Sequence, residues 1–142
     1  MRSKAMSISR ASYLLFYALV LTSCANAECL KYEPEVVTLS GKLVRKTFPG
    51  LPNFESIRNG DDPETGFYLV VRNPICTVGD QSEPGSTPMT GVSLVQLLLR
   101  QKEYQELRPL LGKSVKIKGT LFSAHTAHHH APILLKFLTV EK

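Results

Sequence analysis

The chain has 142 residues, 43% of them hydrophobic, with 17 basic side chains against 12 acidic. That length supports one modest core rather than several. Arg2, Lys4 and Arg10 lie in an acid-free N-terminal segment; without them 14 basic residues face 12 acidic ones, a charge of +2, which leaves little excess for the basic face of a nucleic-acid binder.

In chain order, Met1–Arg10 is positively charged, Ala11–Leu21 is almost wholly apolar, and Ala25-Asn26-Ala27 is a small-x-small site. This is the pattern of a secretory signal over residues 1–27, cleaved to leave one domain over 28–142. An apolar run of about ten residues is too short for a membrane span. Leu21-Thr22-Ser23-Cys24 also resembles a bacterial lipobox, with Cys24 as the lipidated residue. Cleavage after Ala27 is the preferred reading. The expectation is a periplasmic or secreted protein, with a membrane-anchored lipoprotein as the alternative.

Cys29 and Cys76 remain after either cleavage. In an oxidising compartment an even pair reads as a disulfide, against a free thiol pair or thiolate metal ligands.

Val36–Lys46 is the first expected strand, with Val37, Leu39, Gly41 and Leu43 alternating with Thr38, Ser40 and Lys42. Gly41 inside the run suggests a bend. Thr47–Gly66 reads as a long polar loop carrying Glu55, Asp61, Asp62 and Glu64, with a helical turn near Phe54–Ile57. Phe67–Arg72 is strand two, Val78–Gly91 a turn-rich connector, and Val92–Leu99 strand three. Lys102–Leu111 has Tyr104, Leu107, Leu110 and Leu111 at helical spacing, is shortened by Pro109, and stops at Gly112. Lys113–Phe122 is strand four, its lysines on a solvated face, and Pro132–Val140 is strand five. Strands one and four share the pattern Val-x-apolar-x-Gly-x-Leu.

The order of three strands, a helix and two strands, with a glycine in strands one and four, is that of the OB-fold. The expected fold is mainly β: a small five-stranded OB-fold-like barrel with one short helix between strands three and four. The two glycine-bearing runs also resemble the first and fourth strands of small periplasmic bacterial OB-fold proteins.

A second resemblance runs through essentially the whole mature chain. It rests on Cys29-Leu30-x-Tyr32-Glu33-Pro34, Pro49-Gly50-x-Pro52-Asn53-x-Glu55-Ser56, Gly60-Asp61, Pro74-x-Cys76, Val95-Gln96-Leu97 and His125–His130. These motifs resemble an uncharacterised family of small secreted bacterial proteins, domain of unknown function 4431. Ala127 stands where that family usually has glycine, Ala131 where it has threonine, and Phe54 where tyrosine is frequent. The resemblance implies export and the Cys29–Cys76 pair, and it implies no activity.

All four histidines, His125, His128, His129 and His130, lie between the last two strands. In an OB-fold that connection flanks the ligand face together with the loop between strands one and two. The candidate binding set is therefore Asn53, Phe54, Glu55, Asp61, Asp62, His128 and His130. Extended chain would point His128 and His130 to one side and His129 to the other.

Three roles compete for the histidines. One is a metal site for zinc or another divalent transition metal, from His125, His128, His129 and His130 with Glu55 or Asp61. Another is structural bonding to carbonyls and the acidic loop. The third is a surface for a partner or ligand. No catalytic signature such as G-x-S-x-G or H-E-x-x-H occurs.

The expected function is thus an exported, non-enzymatic binding module using loops 53–64 and 125–130. Its partner is an envelope protein, a glycan or a small ligand. A periplasmic metal-binding protein is the alternative. A metal-assisted hydrolase or an oligonucleotide or oligosaccharide binder comes third.

Overall fold

The computed structural model describes residues 28–141. The expected signal segment and Cys24 lie outside the described residues.

Six strands form one sheet: β1 (Leu30–Lys31), β2 (Val36–Pro49), β3 (Pro63–Val78), β4 (Met89–Leu98), β5 (Ser114–Ser123) and β6 (Ile133–Glu141). The helix α1 (Gln101–Leu107) lies between β4 and β5 and runs into a 3-10 turn, Arg108–Leu110. The fold is mainly β with one short α-helix, as the alternation implied. The strand count is six rather than five. The added strand, β1, is two residues long and pairs in parallel with Thr77 and Val78 at the end of β3. A pair of residues has no period to read.

Several boundaries also move: strand two runs on through Asn73-Pro74 to Val78 rather than ending at Arg72, and strand three begins at Met89 rather than Val92, which shortens the expected connector Val78–Gly91. Strand two begins at Pro63 rather than Phe67, because Pro63–Gly66 continues the antiparallel ladder against Lys46–Pro49 of β2. The turn expected near Phe54–Ile57 is a 3-10 turn at Ile57–Asn59, ended by Gly60 at φ 108°. The helix stops at Leu107, since a proline ring at position 109 is compatible with the tighter turn but not with a continued α-helix.

Pairing runs β2 to β3, β3 to β4, β4 to β6, β6 to β5 and β5 back to β2. Each of the five long strands therefore has a partner on both sides. All these pairs are antiparallel except β4–β6, which is parallel. The inward residues make the core: Val37, Leu39 and Leu43 from β2; Phe67, Leu69 and Val71 from β3; Val95 and Leu97 from β4; Val115, Ile117 and Leu121 from β5; Ile133, Leu135 and Phe137 from β6. Leu107 of α1 is fully buried, and Tyr104, Leu110 and Leu111 pack beside it, so the helical stripe closes one end of this core.

The shared pattern of β2 and β5 has a structural meaning. The two runs lie against each other antiparallel, with Val37 opposite Gly119, Leu39 opposite Ile117 and Gly41 opposite Val115. At each glycine the strand comes close to its other neighbour. A Cβ on Gly41 would lie 2.3 Å from the Val70 carbonyl oxygen, and one on Gly119 would lie 2.2 Å from that of Lys136. A side chain at either position would separate backbone from backbone. The outward faces are wet, as expected: Lys118 pairs with Glu141 at 3.0 Å, and Lys136 with Glu33.

Cys29 and Cys76 are disulfide-bonded across a separation of 47 residues. The bond ties the segment before β1 to the strand that β1 joins. Tyr32 anchors the next turn, its hydroxyl 2.7 Å from Thr77 Oγ1 and donating to the Thr87 carbonyl. The chain-entropy argument gives such a cross-link about 4 kcal/mol at most. Among the described residues no helix is long and apolar enough to cross a membrane.

Two outcomes are expected. Gly41→Ala and Gly119→Ala should each lower the free energy of unfolding by about 1–3 kcal/mol through overpacking. Denaturant midpoints measure this, and a wild-type midpoint for Gly119→Ala would show that the β5–β6 approach is not tight. Cys29→Ala/Cys76→Ala should lower stability by about 2–4 kcal/mol while keeping the far-ultraviolet dichroism of the native sheet.

Candidate functional site

The segment between β5 and β6 leaves the sheet at Ser123 and returns at Ile133. Its backbone is a short turn, with the His129 N–H donating to the Thr126 carbonyl at 3.1 Å. The turn sends the four imidazoles in two directions.

His128 and His130 face the β2–β3 hairpin and meet on Glu64. His128 Nδ1 lies 2.6 Å from Glu64 Oε1, and His130 Nε2 lies 2.6 Å from Oε2. One carboxylate thus holds two imidazoles through its two oxygens. Gln96 of β4 fixes the backbone beneath them: its side-chain oxygen accepts the His130 N–H at 2.7 Å, and its amide donates to the His128 carbonyl at 3.2 Å. The Phe48 ring stacks on His130 at 4.9 Å with 5° between the planes. The Phe54 ring meets His128 edge-on at 5.1 Å. Only 10% of the His130 side chain is exposed, against 57% for His128, so one imidazole is anchored and the other is presented.

Glu64 belongs to the ladder between β2 and β3, opposite Phe48. Gly50 leaves the space its side chain needs, since a Cβ there would lie 2.5 Å from Glu64 Cγ. Burial pushes the Glu64 carboxyl up, but the hydrogen bonds and charges of His130 and His128 together outweigh it and hold the group below its ordinary value of 4.5. Tyr68 lies beneath Phe48 with ring centroids 5.4 Å apart. Its phenol is pushed up to about 12, chiefly by burial and then by Tyr104 and Glu64, so it stays protonated.

Asp61 does something different from what was expected of it. It is 4% exposed and turns into its own loop. Oδ1 accepts from the Asn53 backbone N–H at 2.9 Å and the Asn53 side-chain amide at 3.2 Å; Oδ2 accepts from the Glu55 and Ser56 N–H groups, each at 2.7 Å. These bonds, led by Ser56, hold its carboxyl below the usual range against the opposing effect of burial. Asp61 therefore shapes loop 53–60 instead of facing a histidine. Among the described residues, the carboxylate within 4 Å of an imidazole is that of Glu64. Glu55 and Asp62 are exposed neighbours on this loop and make no such pair. Phe54 has φ 58°, a left-handed conformation that is costly for a bulky residue. The four hydrogen bonds to Asp61 that bracket it hold the loop in place.

His125 and His129 lie on the other side of the turn. The His125 N–H donates to His129 Nδ1 at 3.0 Å, which places the His129 proton on Nε2 in the neutral ring. Burial, then the neighbouring histidines, push His129 below 6.5 and favour that neutral form. Both rings pack on Phe122, at 5.7 and 5.6 Å. They line a concavity of about 540 Å³ with Tyr32, Glu33, Phe122 and Lys136.

The structure thus joins Phe54 and the Asn53–Glu64 loop to His128 and His130, and separates them from His125 and His129. A single metal ion bound by all four imidazoles does not fit this division. Among the described residues no three His, Cys, Asp or Glu side chains are gathered as a metal ion would need. Glu64, Gln96 and Phe48 were not among the sequence candidates. The alternation of Phe48 and Glu64 across the continuing ladder is the signal that could have found them.

These features define a small mainly-β protein whose two polar connections are joined by a carboxylate shared between two histidines. Residues 94–140, a third of the chain, match the family model described as Domain of unknown function (DUF4431). The match spans β4 to β6, including the histidine turn and Gln96, so the resemblance to an uncharacterised family is shown there. The Cys29, Pro49 and Gly60 motifs lie outside the matched residues. No curated protein matches the chain.

The clasp should be lost in acid. Glu64 is held below its ordinary value, so its contribution is present above about pH 4.5 and disappears as pH falls through the lower folded value. His129, held below 6.5, acts in the same direction, because protonation favours the unfolded chain. Unfolding measured from pH 7 to pH 3 should show stability falling, and Glu64→Gln should fall less steeply below pH 4.5. Equal slopes would show that Glu64 gains nothing from its histidines. Glu64→Ala should cost about 1–3 kcal/mol at pH 7.

Proposed function

We propose that this chain is an exported, non-enzymatic binding module on an OB-fold-like barrel. The contact surface is formed by loops 53–64 and 125–130. The closed cycle of strand pairs, the parallel β4–β6 pair and the helix between β4 and β5 support the barrel reading. In that arrangement the β2–β3 and β5–β6 connections flank one ligand face.

The observation that carries the proposal is the Glu64 clasp. It fixes two loops that are 64 to 66 residues apart and leaves the His128 ring more than half exposed. Leu51 and Ile57 are exposed on the same hairpin loop, 54% and 44%, and Phe54 lies against His128. Apolar side chains around a fixed imidazole suit a partner with both apolar and hydrogen-bonding groups. An envelope protein or a glycan has that character. A strained aromatic beside the presented ring fits a contact residue held in readiness.

A periplasmic zinc, copper or nickel protein is the second reading. Two imidazoles and one carboxylate are donor types such ions take, although the three are not gathered around one point in this arrangement. An ion would have to replace both hydrogen bonds to Glu64 to reach it.

His128→Ala/His130→Ala should abolish capture of envelope partners or glycans by the untagged protein, while shifting its melting temperature by only a few degrees. Loss of folding in the double variant would make the histidines structural and end this proposal. Calorimetric titration of zinc, copper and nickel tests the metal reading: a stoichiometric site lost in Glu64→Gln would replace the proposal, and absence of binding would remove the metal.

A further inference from the structure

We propose a second site, for a small oxyanion with an apolar body, in the cavity between the β2–β3 hairpin and the end of α1. The cavity is about 350 Å³ and is lined by Arg45, Thr65, Phe67, Tyr104, Arg108 and Leu111. It is separate from the Glu64 clasp. Arg45 pairs with Phe67 across the ladder and Thr47 with Thr65, and residues two apart share a face. Glu64, Gly66 and Tyr68 alternate with them and take the opposite face.

The charges are the first argument. The lining holds two guanidinium-bearing side chains and no acid. Three basic groups have carboxylates in reach, Arg100 with Glu103, Lys118 with Glu141 and Lys136 with Glu33. Among the described residues neither Arg45 nor Arg108 has a carboxylate within 4 Å. Two like charges at one concavity repel, and an anion there relieves both. Guanidinium presents a planar fork of donors matched to the oxygens of a carboxylate or phosphate.

The walls are the second argument. Phe67 is buried and its ring meets Tyr104 edge-on, with centroids 4.9 Å apart and an angle of 72°. Leu111 completes an apolar side, and Tyr104 and Thr65 also line the cavity, the Thr65 hydroxyl sharing a hydrogen bond with Thr47 Oγ1 at 2.8 Å. Apolar walls with a few converging polar groups, at this volume, suit a small organic ligand. The shared chemistry is an oxyanion head on an aromatic or aliphatic body, whether carboxylate or phosphate.

The test is calorimetry of the untagged protein with phenyl phosphate, benzoate, inorganic phosphate and neutral benzyl alcohol. Phenyl phosphate or benzoate should bind one to one, at least tenfold more tightly than benzyl alcohol and than inorganic phosphate; which of the two is preferred identifies the head group. Arg45→Gln and Arg108→Gln should each weaken binding about tenfold, with unchanged melting temperature. Glu64→Gln should leave it intact, which separates this site from the clasp. No saturable binding of either organic anion at millimolar concentration would overturn the proposal, as would equal affinity in Arg45→Gln/Arg108→Gln. Benzyl alcohol binding as tightly as the anions would do the same, leaving an apolar crevice only.

Discussion

The contact on which the rest depends is backbone against backbone at two glycines. β2 has β5 on one side and β3 on the other, and near Gly41 its pairing passes from the first to the second. The strand can serve both neighbours only by coming within side-chain distance of the Val70 carbonyl. β5 repeats the solution at Gly119, between β2 and β6. The two glycine runs lie side by side and antiparallel, and the cycle of strand pairs returns from β6 through β4 to β3. A Cβ at either position would move whole strands rather than one rotamer, which the close packing of an interior tolerates poorly.

One consequence is that loops distant in sequence share one end of the sheet. The clasp then divides its labour among groups of different kinds. Asp61 spends its charge on backbone N–H groups and gives loop 53–60 its shape. Glu64 spends its charge on two imidazoles and joins that loop to the histidine turn. Gln96 uses both ends of its amide on the backbone of the same turn. The burial of His130 and the exposure of His128 follow from Phe48 covering the first and Phe54 meeting only the edge of the second.

Much of this was legible in the residues. The alternation of Val37, Leu39 and Leu43, and of Val115, Ile117 and Leu121, is a direct readout of which face is wet, so those strands and their lysines fell where expected. The helix and its stripe of Tyr104 and Leu107 were legible for the same reason, but the expected stop at Gly112 lies beyond its end at Leu107. The division of the histidines was partly visible, since alternate positions point apart. What could not be read was the identity of the carboxylate. Pro63-Glu64-Thr65-Gly66 carries two residues that usually end strands, so Glu64 was grouped with the loop acids. Only the register against Lys46–Pro49 makes it a strand residue facing the turn. Asp61 misled in the opposite way, because a carboxylate in a loop expected to meet the histidines looks free until its backbone donors are located. The two arginines beside Tyr104 come from elements 63 residues apart and leave no pattern along the chain.

The histidine turn is held mainly by side chains. Outside β5 and β6, its backbone bonds are the Ala124 N–H to the Pro132 carbonyl and the His129 N–H to the Thr126 carbonyl. The remaining hydrogen bonds are those of Glu64, Gln96 and the His125 and His129 rings. The turn can therefore lift away as a unit without breaking a strand pair. Opening it means breaking the Glu64 and Gln96 hydrogen bonds and the ring contacts with Phe48, Phe54 and Phe122, and no bond of the β5–β6 ladder. A scaffold of this kind lets the lifetime of one exposed segment change by point substitution while the sheet that carries it keeps its stability.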